Sequence, residues 1–129
     1  MERRLGSNMK YCLVVDDSRV IRKVACRILE DLDFEADEAE DGESALESCR
    51  ARMPDVILLA GHLPSMNSQE FLRRVRAEKG GSRPVIVLCT TENDLPTITS
   101  AISAGANEYI LKPFDRPAIE SKFSEMGLV

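Results

Sequence analysis

ILLAGHLPSMN, residues 57–67, sets a short apolar run against an abrupt polar loop. With Val56, the run Ile57-Leu58-Leu59 is too short for a buried helix and suits a strand covered on both faces. It stops at Ala60-Gly61-His62. Asn67, three residues before Glu70, has the form of a capping box and opens a helix with Phe71, Leu72 and Val75 facing inward. A buried strand that passes through a short loop into a helix is one βα unit, and the chain on either side repeats it.

Upstream, residues 11–15 read as the first strand. Residues 20–32 carry Ile21, Val24, Ala25, Ile28 and Leu32 at helical spacing, with Ser18 as N-cap. Residues 34–39 form a charged strand of the kind that suits a sheet edge. Asp41 caps a second helix that runs to about Arg52, before Pro54. Downstream, Lys79-Gly80-Gly81-Ser82 ends the third helix and residues 85–89 form the fourth strand. Asp94 and Pro96 open the fourth helix and Gly105 closes it. Residues 108–111 are the fifth strand. Asp115 and Pro117 open a last helix to about Met126.

Five such units with apolar central strands predict an α/β fold, a doubly wound parallel sheet. The strand order 2-1-3-4-5 places the switch point between strands 1 and 3, and ligands sit there, beyond the carboxyl ends of the strands. Asp16-Asp17-Ser18 and Ala60-Gly61-His62 meet at that corner. Thr90-Thr91 and Lys112-Pro113 end the neighbouring strands.

The 129 residues fit one domain, placed at 9–129. Residues 1–8 read as a disordered arm or an expression remnant, because Met9 stands just before the first strand. A net charge of −5 argues against a non-specific nucleic-acid or anionic-membrane surface. No apolar run approaches a membrane span, and the charged start lacks the apolar stretch of a secretory signal. Cys12, Cys26, Cys49 and Cys89 are scattered singly in apolar patterns, which suits buried thiols in a reducing cytoplasm rather than a zinc site.

The corner implies chemistry. Adjacent carboxylates repel one another unless a cation offsets them, and a hard divalent ion such as Mg²⁺ is the usual offset. The plainer alternative is that Asp16 or Asp17 caps the first helix. A phosphate-cradling turn would instead carry glycines and hydroxyls after the first strand. Lys112 supplies a point charge for a phosphoryl oxygen or a carboxylate, or is a solvated lysine. Thr90 supplies a hydroxyl, although threonine is common in strands. Together these residues describe a site for metal-assisted phosphoryl transfer that lacks a nucleophile.

At this point the residues resemble a known family. DD near the start, PDVILL before the loop, P-x-M within it, a strand-4 threonine and KPF near the end resemble response-regulator receiver domains. Single-domain, chemotaxis-type (CheY-like) receivers look most similar, and the likeness runs from about Lys10 to Glu125. It implies the flavodoxin-like order given above, Mg²⁺ held by Asp16 and Asp17, a switch hydroxyl on Thr90, a swinging aromatic at Tyr109, and a phosphoryl-contacting lysine at Lys112 before a cis proline. Ala60 falls where the family has its phosphoaccepting aspartate. The family's following Asp-Gly has become Asn67-Ser68.

A methyl group has no lone pair with which to attack phosphorus or ligate a metal. Phosphorylation by the family's route is therefore expected to be absent and Mg²⁺ binding weakened. Ser68 replaces a residue of wide backbone freedom, so this turn is expected to have moved. His62 reads first as a solvent-facing loop residue, and otherwise as a ligand for Zn²⁺, Ni²⁺ or Cu²⁺ or as a phosphate acceptor.

The resemblance implies a histidine kinase or phosphotransfer protein as partner for the first helix. That helix carries Arg19, Arg22, Lys23 and Arg27, a pattern that by default is a solvated face. It implies a downstream target on the face of helix 4, strand 5 and helix 5, with Ile98, Ala101, Ala104, Tyr109 and Lys122. Three functions stay open: a non-enzymatic receiver acting by protein–protein interaction without phosphate; a phosphorylatable receiver whose acceptor or 60–68 loop was replaced; and a small metal-dependent hydrolase using Asp16, Asp17 and His62. With the trigger gone, the inactive-like state is expected, with Thr90 away from the site and Tyr109 outward.

Overall fold

The computed structural model describes residues 9–129, so the reading of residues 1–8 lies outside the described residues. Five strands and five helices alternate. They are β1 (Tyr11–Val15), α1 (Arg19–Asp31), β2 (Glu35–Ala39), α2 (Gly42–Ala51), β3 (Val56–Ala60), α3 (Ser68–Ala77), β4 (Val85–Thr90), α4 (Leu95–Ala104), β5 (Glu108–Leu111) and α5 (Arg116–Glu125). All neighbouring strands pair in parallel, in the order β2-β1-β3-β4-β5. This is the doubly wound, flavodoxin-like arrangement expected from the alternating units.

Alternation along the strands splits the core in two. Leu13, Val15, Ile57, Leu59, Ile86 and Leu88 face α2, α3 and α4, where they meet Leu46, Phe71, Leu72, Val75 and Ala101. Val14, Val56, Leu58 and Val87 face α1 and α5, where they meet Ala25, Leu29, Ile119 and Phe123. Phe71 and Phe123 are fully buried, one on each side. Each burial of that size contributes about 1.5–3 kcal/mol.

Helix starts follow the sequence closely. Ser18 accepts from the Ile21 amide, Asp41 from Ser44, Asn67 from Glu70 and Asp115 from Ala118. One expectation needs correction. The capping box at Asn67 is half made, because the Glu70 carboxylate turns outward to Arg74. Asp94 and Pro96 open α4 as expected, and the Asp94 side chain itself caps no amide.

Boundaries shift by a residue or so. Phe34 precedes β2, and Ala60 and Thr90 are the last residues of their strands rather than loop residues. Gly105 ends α4 at φ 131, a conformation that favours glycine. Its carbonyl accepts from the Arg76 guanidinium, which also donates to the carbonyls of Gly81 and Pro84 and to Asn107 Oδ1. Five donors in a rigid fork thus tie α3 to the two loops beside β4, at the end of the sheet away from the site.

Candidate functional site at the carboxyl edge of the sheet

β1, β3, β4 and β5 deliver Asp16, Ala60, Thr90 and Lys112 to one edge of the sheet. Asp16 follows directly on β1 and is 3% exposed. Its Oδ1 accepts from the Ser18 amide and its Oδ2 from Lys112 Nζ, both at 2.8 Å. Each carboxylate oxygen of Asp16 therefore has a partner within the protein. Asp17, next along, is exposed. The Lys112-Pro113 bond is cis.

Ala60 is 3% exposed and pairs in register with Cys89 of β4. Beside its methyl lies a cavity of ≈10 Å³, lined by Asp16, Ile21, Leu58, Cys89 and Phe114 among others. That is room for about one water. Above it opens a cleft of ≈270 Å³ whose walls include Asp17, Gly61, His62, Thr90, Asp94 and Lys112.

The loop after β3 is fixed from below. Ser68, the first residue of α3, is buried, and its hydroxyl lies 2.8 Å from both the Ala60 and the Gly61 carbonyl oxygens. A buried hydroxyl between two carbonyls thus holds the strand end. Met66 anchors the same loop by packing on α2, where a Cβ at Gly42 would come within 2.8 Å of its sulfur. Ser65 takes a left-handed φ of 70 within the loop.

His62 faces solvent, as expected, with its side chain 78% exposed. It also has a partner that sequence did not reveal. Its Nε2 lies 2.7 Å from Asp94 Oδ2, and the same oxygen accepts from the Thr90 hydroxyl at 3.1 Å. The Thr97 hydroxyl, then the His62 imidazole, hold the Asp94 carboxyl below the usual carboxylate range. The only signal for this in the sequence was Asp94 four residues after Thr90, and it read equally well as a helix cap.

Tyr109 stands apart from the cleft. It pairs with Leu88 in register, is 38% exposed, and lies under Lys122 Nζ at 5.8 Å from the ring centre. The face it belongs to differs from the expected one. Ala101 is fully buried, and Ile98 and Ala104 pack on the core. The apolar residues actually exposed there are Leu95, Ile102, Tyr109 and Leu111. On α1, Arg22 is not part of a solvated face either: it bonds Glu38 and the Asp16 carbonyl.

The matching family model settles the class. Residues 12–124 match the response regulator receiver domain. The chain belongs to that family. Receivers of this kind are signalling modules rather than enzymes, and they interact with histidine kinases and downstream targets. This receiver is 32% identical to chemotaxis protein CheY-3 of Vibrio cholerae over 127 residues, 98% of this chain and 97% of that one. It resembles the solved chemotaxis response regulator CheY4 of the same species with a TM-score of 0.86 at 29% identity, covering 92% of this chain and 98% of that one.

A third likeness bears on metal. The receiver domain of a sensor histidine kinase from Pseudomonas aeruginosa PAO1, solved with a magnesium ion coordinated in its active site cleft, matches with a TM-score of 0.82 at 26% identity. The match covers 91% of this chain and 96% of that one. In the present receiver Asp16 is committed to Lys112 and Ser18, Asp17 is the one neighbouring free carboxylate of the pair, and a methyl ends β3. Among the described residues no three His, Cys, Asp or Glu side chains are grouped to hold a metal ion. No helix of the described residues is long and apolar enough to cross a membrane.

Proposed function

We propose that this receiver signals by binding partners without taking a phosphoryl group at the family's position. The observation that carries the reading is the methyl of Ala60 at the end of β3, beside the Asp16–Lys112 pair. Phosphoryl transfer to a receiver needs an oxygen nucleophile there, and alanine supplies none. Nor does it imitate a phosphorylated aspartate, since it brings neither charge nor acceptor oxygens. Mg²⁺ binding is weakened for the same reason, with Asp16 and Asp17 as the remaining carboxylates.

Thr90, Tyr109 and Lys112 are the switch and site residues of this reading. Thr90 bonded to Asp94 and Tyr109 turned outward support an inactive-like state. Two faces suit partners in the cytoplasm. Val20 and Val24 are exposed on α1 near Arg19, Lys23 and Arg27, where a histidine kinase or phosphotransfer protein docks. Leu95, Ile102, Tyr109 and Leu111 offer an apolar surface on the α4-β5-α5 side to a downstream target.

The second reading, a phosphorylatable receiver whose acceptor or loop was replaced, draws support from the intact Asp16–Lys112 pair. Against it, Ser68 is built into the strand end by two close carbonyl contacts. Nothing in the geometry favours the hydrolase reading, because Asp16 is occupied by Lys112 and His62 by Asp94.

Fluoroberyllate with Mg²⁺ tests the proposal. It coordinates a carboxylate oxygen as a phosphoryl mimic, so ¹⁹F NMR should show a bound species with Ala60→Asp and none with the chain as it stands. A bound signal from the unaltered chain overturns the proposal.

A further inference from the structure

At the β4–α4 junction the receiver reading uses Thr90 and its bond to Asp94 but gives no role to His62 or Gly61 beside them. The Asp94 carboxylate takes hydrogen bonds from the Thr90 hydroxyl and from His62, and gives none of its capacity to the helix amides. Because the carboxylate only accepts, His62 must present Nε2–H to it. Gly61 makes the arrangement possible. A Cβ there would lie 2.8 Å from Thr90 Oγ1, 3.1 Å from Thr90 Cβ and 3.4 Å from Thr97 Cγ2. The two threonines therefore close over the bare Cα of Gly61.

α4 has little else to hold its first turn. Of its residues only Ala101 is fully buried, and Leu95, at its start, is exposed. Elements with few buried apolar contacts open at low cost in free energy. A few hydrogen bonds at their end then decide where they rest.

We infer that Asp94, His62 and Gly61 form a latch that holds the Thr90 hydroxyl toward α4 and fixes the first turn of that helix. Asp94 is a positioning residue that acts through Thr90. The latch joins the loop after β3 to the helix that carries the exposed face of Leu95 and Ile102. It gives this receiver a resting state set by its own side chains, whether or not it accepts a phosphoryl group. A partner that moves α4 must first break these bonds.

The test reads Thr90 and α4 separately. Three-bond couplings report the Thr90 side-chain rotamer, and amide hydrogen exchange reports residues 97–104. In the unaltered chain Thr90 should occupy one rotamer. Asp94→Ala should average it and speed α4 exchange at least about tenfold, since opening is governed by local bonds. Asp94→Asn keeps an oxygen that accepts from the Thr90 hydroxyl and should retain the rotamer. Gly61→Ala attacks the latch from the other side, by displacing Thr90, and should also speed α4 exchange. A single Thr90 rotamer in Asp94→Ala overturns the inference. So does a Gly61→Ala chain with wild-type α4 exchange, because Asp94 would then act on the helix without Thr90.

Discussion

Lys112 Nζ donates to Asp16 Oδ2 at 2.8 Å, joining loops 96 residues apart. The side chains are 24% and 4% exposed, so the pair is largely withdrawn from water. Removing one partner from such a pair leaves the other charge buried and uncompensated. Lys112→Met should lower unfolding stability by about 3 kcal/mol in a urea titration. A loss under about 0.5 kcal/mol, the range of ordinary surface changes, would mean that solvent already supports Asp16.

The buried hydroxyl of Ser68 gives a second expectation. Ser68→Ala leaves the Ala60 and Gly61 carbonyls without it and should cost about 1–2 kcal/mol. Hydrogen exchange should localise the effect to the residues around 60–68. A uniform loss across the sheet would show that the loop is not the part that Ser68 secures.

Burial pushes the Cys26 and Cys49 thiols up to about 11 and Cys89 to about 12. At pH 8 a thiol reagent should therefore label the folded chain no faster than it unfolds. The linked effect on stability has a definite sign. Between the free-thiol value of about 8.5 and about 11, the folded chain keeps protons that the unfolded chain releases. Stability is fully present below that window and falls as pH rises through it. Replacing Cys26 and Cys49 by alanine should flatten that fall. An unchanged slope would assign it to other groups.

Ala60→Asp adds a carboxylate to a buried place beside Asp16. Without metal this should cost about 2 kcal/mol, the scale for a poorly compensated buried polar group. Mg²⁺ at a hundredfold excess over its dissociation constant should return about 2.7 kcal/mol. The unaltered chain should gain far less from the same Mg²⁺ concentration. Equal gains in thermal unfolding would show that Asp16 and Asp17 bind the ion without a third carboxylate.

Much of this was legible in the sequence because apolar runs and caps act locally. The strand Val56-Ile57-Leu58-Leu59 needed no more than its own composition, and Ser18, Asp41, Asn67 and Asp115 cap where their spacing says. The order of the strands followed from parallel crossovers. α4 was harder to read. Its apolar residues, Leu95, Ile98, Ala101 and Ile102, fall on one arc of the helix, but only the edge at Ala101 turned fully inward, with Leu95 and Ile102 out. Arg22 was misjudged, and the contact of Asp94 was missed, for one reason. Each has a partner on another element, Glu38 on β2 and His62 in the loop after β3, and no local pattern announces such pairs. Ser68 stood in plain view, but its two carbonyls meet it only once the loop has folded back.

The most direct measurement is intact mass after incubation with Mg²⁺ and acetyl phosphate, with Ala60→Asp alongside. The unaltered chain should keep its mass and Ala60→Asp should gain one phosphoryl group, which would place the loss at the acceptor alone. A phosphoryl group on the unaltered chain would contradict the central claim and direct attention to His62 as the nucleophile.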